Sequence, residues 1–182
     1  MSRQLHSPDD ERDRVAVRRA QWRRELPEVD TIGMAILGRA RLVTLQARSV
    51  IEQVFTRHGL DAGEFDVLST MLRSGAPYRL RPTELFRSLM ISSGGLTNRL
   101  DRLERAGLIA RLRSESDARS MLVELTPAGR AKTEAAFRED MAAEARMLEG
   151  LSEPEREDLA RLLSRLAICL ADRAPREGEP DS

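Results

Sequence analysis

Wound as a helix, residues 93–106 place Leu96, Leu100 and Leu103 at i, i+4 and i+7, which makes one apolar stripe. Asn98, Arg102 and Arg105 fall on the far side, with Thr97 on a flank. These side chains suit base edges. Asn bonds adenine through two hydrogen bonds, Arg does the same with guanine, and Thr fits the thymine methyl or a phosphate. Two β-like segments follow, residues 108–113 and 120–125, and the polar turn between them is flanked by Arg113 and Arg119. On such a hairpin both arginines would reach a nucleic-acid backbone or a minor groove, where Arg is favoured electrostatically. On residue types alone, a solvated helix face and a surface hairpin would look the same.

A second group has ligand chemistry. Asp66 and Arg73 are seven residues apart, so they share one helix face two turns apart. An Arg fork can hold an anionic oxygen, a carboxylate can accept an N–H, and an indole such as Trp22 can stack on a planar ring. A structural ion-pair network, with Trp22 packing its own helix down, would use the same residues.

Other chemistries lack their parts. One cysteine, Cys169, rules out an internal disulfide, and with only His6 and His58 beside it no transition-metal set is expected. No nucleophile–base pair or phosphate loop is visible, so an enzyme is not expected. Cys169 lies in an apolar stretch, 166–170, and reads as a buried small hydrophobe. No apolar run approaches the roughly 20 residues of a membrane span, and residues 1–14 have no signal-peptide core, so the expected location is cytoplasmic.

The elements that must carry these residues are mostly helical. Charged residues make up 33% and aromatics only 3%, which suits helices with one wet face. The spacing predicts a charged helix over 9–25 and a long amphipathic helix over 31–58, stopped by Gly59. Asp61 and Glu64 form a capping-box pattern for a helix to about Arg73. A short helix starts at Pro82, and a tight turn at 91–95 leads into the Leu96 stripe. After the hairpin come helices over about 127–149 and 152–171. The tail 174–182, rich in Pro, Gly and acid, is expected to be disordered.

Charge is uneven along a chain of net charge zero. Residues 79–120 hold nine Arg against five acids, while residues 130–182 hold nine basic residues against thirteen acids. Lys132 is the only lysine, so arginine usage reflects a bias of the whole chain as well as any site.

A short helix, a tight turn, a helix with an Asn/Arg/Thr front and then a hairpin is the order of a winged helix-turn-helix. Over residues 81–130 the sequence resembles the MarR family of regulators. The runs 81–85, 92–104, 107–109 and 125–129 carry the likeness, which extends over about 31–171. The family's wing usually reads Asp-Arg-Arg; here it is Asp117, Ala118 and Arg119. Trp22, on a helix ahead of the usual first one, together with Asp66, Arg73 and Arg111, is similar to the urate-responsive subgroup.

The resemblance implies a mainly α fold with a small β-hairpin wing. Residues 1–30 would be an extension, 31–60 a dimerisation helix, 61–126 the winged lobe and 127–173 further dimerisation helices. It implies a homodimeric repressor on a palindromic operator in double-stranded DNA, released by a small anionic effector such as urate, with no other cofactor and no metal. The DNA-binding set is Ser93, Gly94, Thr97, Asn98, Arg99, Arg102, Arg113 and Arg119. The ligand set is Trp22, Asp66, Arg73 and Arg111, with an Asp66–Arg111 bridge holding the reading lobe until the ligand breaks it. An aconitate-like carboxylate, a xanthine or a phenolic acid would also suit the site. A helical protein-binding scaffold is the reading from another class, and it predicts no salt-dependent DNA affinity.

Overall fold

The computed structural model describes residues 13–89, 95–113 and 121–173. The chain divides into two compact units, Met1–Asp140 and Met141–Ser182. Among the described residues there are seven helices and three short strands. No helix among them is long and apolar enough to cross a membrane.

Helix α1 (Arg14–Glu25) starts at Asp13, whose Oδ1 accepts from the backbone N–H of Val15 and Ala16 at 2.9 and 3.1 Å. The same carboxylate takes the Arg39 guanidinium, which ties α1 to α2 (Ile32–Arg57). Val15 packs close over Gly38, where a Cβ would stand 3.3 Å from its Cγ1. Helix α2 ends at Gly59, whose φ of +67° is easily reached only without a Cβ. Beyond it, the capping box at Asp61 and Glu64 opens α3 (Ala62–Arg73). The Phe55 and Phe65 rings stack at 4.1 Å across this corner.

Helix α4 (Pro82–Ser88) is capped through Glu84, whose Oε2 accepts from the Arg81 N–H at 2.8 Å. Helix α5 (Leu96–Arg105) buries Leu96, Leu100 and Leu103, the stripe expected from spacing. Val67, Leu68, Met71 and Leu85 are buried with them in the core of the lobe. Gly107, at φ +70°, turns the chain into β2 (Ile109–Arg113). Strand β2 pairs antiparallel with β3 (Met121–Leu125), with Ile109 opposite Leu125 and Arg113 opposite Met121.

A two-residue strand, β1 (Arg79–Leu80), completes a sheet of order β1-β3-β2; the sequence reading had only the hairpin. Helix α6 (Pro127–Met147) follows Thr126, whose Oγ1 accepts from the Gly129 N–H at 3.0 Å. Within the first unit, Glu139 of α6 pairs both Arg57 and His58 at the end of α2.

In the second unit, α7 (Glu153–Arg173) is capped by Ser152 and Glu155. None of its residues is buried in the single chain, and Leu159, Leu162, Leu163, Ile168 and Leu170 all stand exposed. Cys169 is exposed with them, which corrects the expectation of a buried thiol. The stretch is apolar, but the described residues of its own unit do not cover it.

Candidate nucleic-acid interface

Helices α4 and α5 carry the expected front. With its leucines turned inward, α5 leaves Thr97, Asn98, Arg102 and Arg105 exposed. Thr97 and Asn98 edge an open cleft of about 580 Å³, with Thr83, Phe86 and Arg87 of α4 on the other side. Sequence reasoning missed these α4 residues, because α4 is too short for its outer face to show as a pattern. Arg113 is exposed at the end of β2. Ser93, Gly94 and Arg119, with the turn 114–119, lie outside the described residues.

Two of the expected reading residues are turned toward α3. Arg102 donates from Nε to Glu64 Oε1 at 2.8 Å and from Nη2 to Asp61 Oδ2. Arg99 lies over Gly63, where an added Cβ would fall 2.3 Å from its Nε. Burial works to raise the Asp61 carboxyl, but the Glu64 backbone N–H and the Arg102 guanidinium outweigh it and hold the group below the ordinary carboxylate range. A carboxylate shifted this way adds stability above its unfolded pKa, and that stability fades as the pH falls through the lowered value.

The other flank of α5 is held from the wing. Arg111 on β2 reaches Asp101 Oδ1 at 2.5 Å and Glu104 Oε2 at 3.1 Å. The resemblance implies a bridge from Arg111 to Asp66; the ion pairs that Arg111 makes here are with Asp101 and Glu104.

Asp66 is buried on α3, and Thr70, one turn on, is buried as well. Arg73 is exposed at the end of the same face and donates from Nη2 to Thr70 Oγ1 at 2.8 Å. Asp66, Thr70 and Arg73 thus form one polar edge of α3. Trp22 is 50% exposed in a separate cleft of about 240 Å³ lined by Leu26, Val29, Asp30, Thr31 and Met34. Asp66, Arg73 and Arg111 do not line that cleft.

Comparison with known proteins decides the family. A model described as MarR family matches residues 58–120. The transcriptional regulator PecS of Dickeya dadantii is 39% identical over 146 residues, covering 80% of this chain and 88% of that one. The chain belongs to the MarR family. It is a DNA-binding transcription regulator, not an enzyme. The transcriptional repressor YetL of Bacillus subtilis is 28% identical over 68% of this chain and 74% of that one. A mutant of Escherichia coli MarR complexed with operator DNA superposes with a TM-score of 0.62 at 27% identity, covering 76% of this chain and 99% of that one. The fold around α5 and the wing is therefore that of MarR-family regulators.

Proposed function

We propose that this MarR-family regulator acts as a homodimeric repressor on a palindromic operator and is released by a planar anionic ligand of the urate class. The observation that carries the reading is α5 itself. Its leucines lock it into the lobe, and Thr97 and Asn98 remain solvent-facing beside an open cleft. Its Arg113 neighbour on the wing adds a phosphate or minor-groove contact, and Arg119, Ser93 and Gly94 complete the proposed DNA set by resemblance. YetL, a relative, is named as a repressor, which supports repression here.

Dimerisation is supported by uncovered apolar faces. Ile32, Ile36, Val43 and Val50 on α2 are 40–61% exposed, and Leu159, Leu162, Leu163 and Leu170 of α7 are similarly bare. Contiguous apolar faces of this kind mark association surfaces. A two-fold dimer would present two recognition helices about 34 Å apart, one turn of DNA. Sedimentation at low micromolar concentration should therefore give about twice the 20.5 kDa chain mass. A well-folded monomer under those conditions would exclude the dimeric reading.

The ligand reading rests on the polar edge of α3. Arg73 forks an anionic oxygen, and Asp66 accepts a ring N–H. Arg111 belongs to the ligand set by resemblance; its guanidinium is held by Asp101 and Glu104, and an anion that engaged it would have to displace those pairs and so loosen α5. Trp22 enters the ligand set by resemblance alone.

Base reading by Asn98 is directly testable on a site selected from a random-sequence library. Asn98→Ala should cost ~1–3 kcal/mol of specific affinity and relax preference at one base position per half-site. Unchanged affinity and unchanged preference would remove Asn98 from the interface.

A further inference from the structure

Arg102 stands on the outer side of the recognition helix, yet its guanidinium is committed to α3. The commitment is stoichiometric. Asp61 uses Oδ1 to accept the Glu64 N–H at 2.8 Å, and Glu64 uses Oε2 to accept the Asp61 N–H at 2.9 Å. Each carboxylate then has one oxygen left, and Arg102 takes both, through Nε to Glu64 Oε1 and through Nη2 to Asp61 Oδ2. The Glu64 side chain is only 12% exposed, so its charge needs this partner. Arg99, three residues earlier on α5, covers Gly63 in the same turn of α3, in space that exists because residue 63 has no side chain. With its fork taken by two carboxylates, the Arg102 guanidinium can meet phosphate or a guanine acceptor edge only by giving up those pairs.

We propose that Arg102 is a positioning residue. It clamps the recognition helix to the N-terminal cap of α3, and it leaves base reading to Thr97 and Asn98. The clamp works opposite the Arg111 pairs with Asp101 and Glu104, so α5 is held from both flanks. Losing one flank lets α5 tilt, which lowers affinity across the whole half-site rather than at one base.

The test uses the full-length protein, a duplex selected from a random-sequence library with the unmodified protein, and anisotropy titrations over a salt series. Glu64→Gln keeps the cap, because its amide oxygen still accepts the Asp61 N–H, and it removes the charge that holds Arg102. The clamp predicts that Glu64→Gln weakens binding about three- to tenfold, the range for a charge-assisted hydrogen bond reduced by partial exposure. The salt slope should stay unchanged, because no phosphate contact is lost. Arg102→Ala should weaken binding to a similar degree, with base preference intact at every position, and should cost little more in the Glu64→Gln background. Asp61→Asn, which also keeps its cap, should repeat the pattern if Glu64→Gln lowers the melting temperature. A direct reader behaves in the opposite way. If Glu64→Gln leaves binding unchanged or tightens it, and Arg102→Ala flattens the salt slope or relaxes one base position, Arg102 contacts DNA and the proposal is wrong.

Discussion

Gly129→Ala is expected to cost the fold about 3 kcal/mol, near the top of the range for overpacking. A Cβ at residue 129 would stand 2.0 Å from the Leu108 carbonyl oxygen and 2.9 Å from Leu125 Cδ1. The oxygen is backbone and cannot swing aside. It also accepts from the Thr126 N–H at 3.1 Å, and the Thr133 hydroxyl donates to the Gly129 carbonyl at 2.7 Å. The first turn of α6, the start of β2 and the end of β3 are thus pinned at one point, and the wing hangs from it. For a chain of this size the melting temperature should fall by roughly 6–12 °C, measured at fixed protein concentration. Gly33→Ala is the control, since nothing lies within 4 Å of its Cβ position, and it should change stability by no more than about 1 kcal/mol. Equal stability of the two variants would show that the joint at Gly129 yields more easily than its geometry implies.

Arg73→Ala should leave operator binding near normal and reduce urate affinity about tenfold to a hundredfold, since a hydrogen bond to a charged group contributes roughly 1.5–3 kcal/mol. Among the described residues, Arg73 forms no salt bridge. Its guanidinium donates to the Thr70 hydroxyl and, more weakly, to the Ser69 carbonyl at 3.3 Å. Its charge is therefore available to an anion, unlike that of Arg102 or Arg111, which each face two carboxylates. Arg73→Lys should recover part of the loss, because an ammonium supplies charge without the planar fork. Calorimetric titration of urate into each variant reads the effect. Unchanged affinity in Arg73→Ala would move the ligand away from the edge of α3.

Local signals in the sequence carried most of the fold. The Leu96, Leu100 and Leu103 stripe, the stops at Gly59 and Gly107 and the Asp61–Glu64 box each depend on neighbours within a turn or two, so spacing alone reveals them. Strand β1 was invisible for the opposite reason. Two residues cannot show an alternation, and Arg79 and Leu80 become a strand only by pairing with Glu124 and Val123.

The candidate site divides in the same way. The polar front of α5 was legible because it is the reverse of an apolar stripe. That Arg102 spends its guanidinium on a cap 38 to 41 residues away was not, because no periodicity links the two. Cys169 shows a further limit. Hydrophobic spacing marks a face that wants cover, and it does not say whether the cover comes from the same chain.

One coupling is central to the proposed regulation, between a ligand edge on α3 and a reading helix on α5. Titrating urate into the free protein and into the protein saturated with its selected operator duplex measures that coupling directly. Linkage requires operator DNA to weaken urate binding by the same factor that urate weakens operator binding, and a factor of roughly 5 to 150 is the usual span for such effects. The expected result is a clear loss of urate affinity on the DNA-bound protein, matched in size by the loss of operator affinity at saturating urate. Equal urate affinity in both titrations, or no urate binding in either, would contradict the coupling.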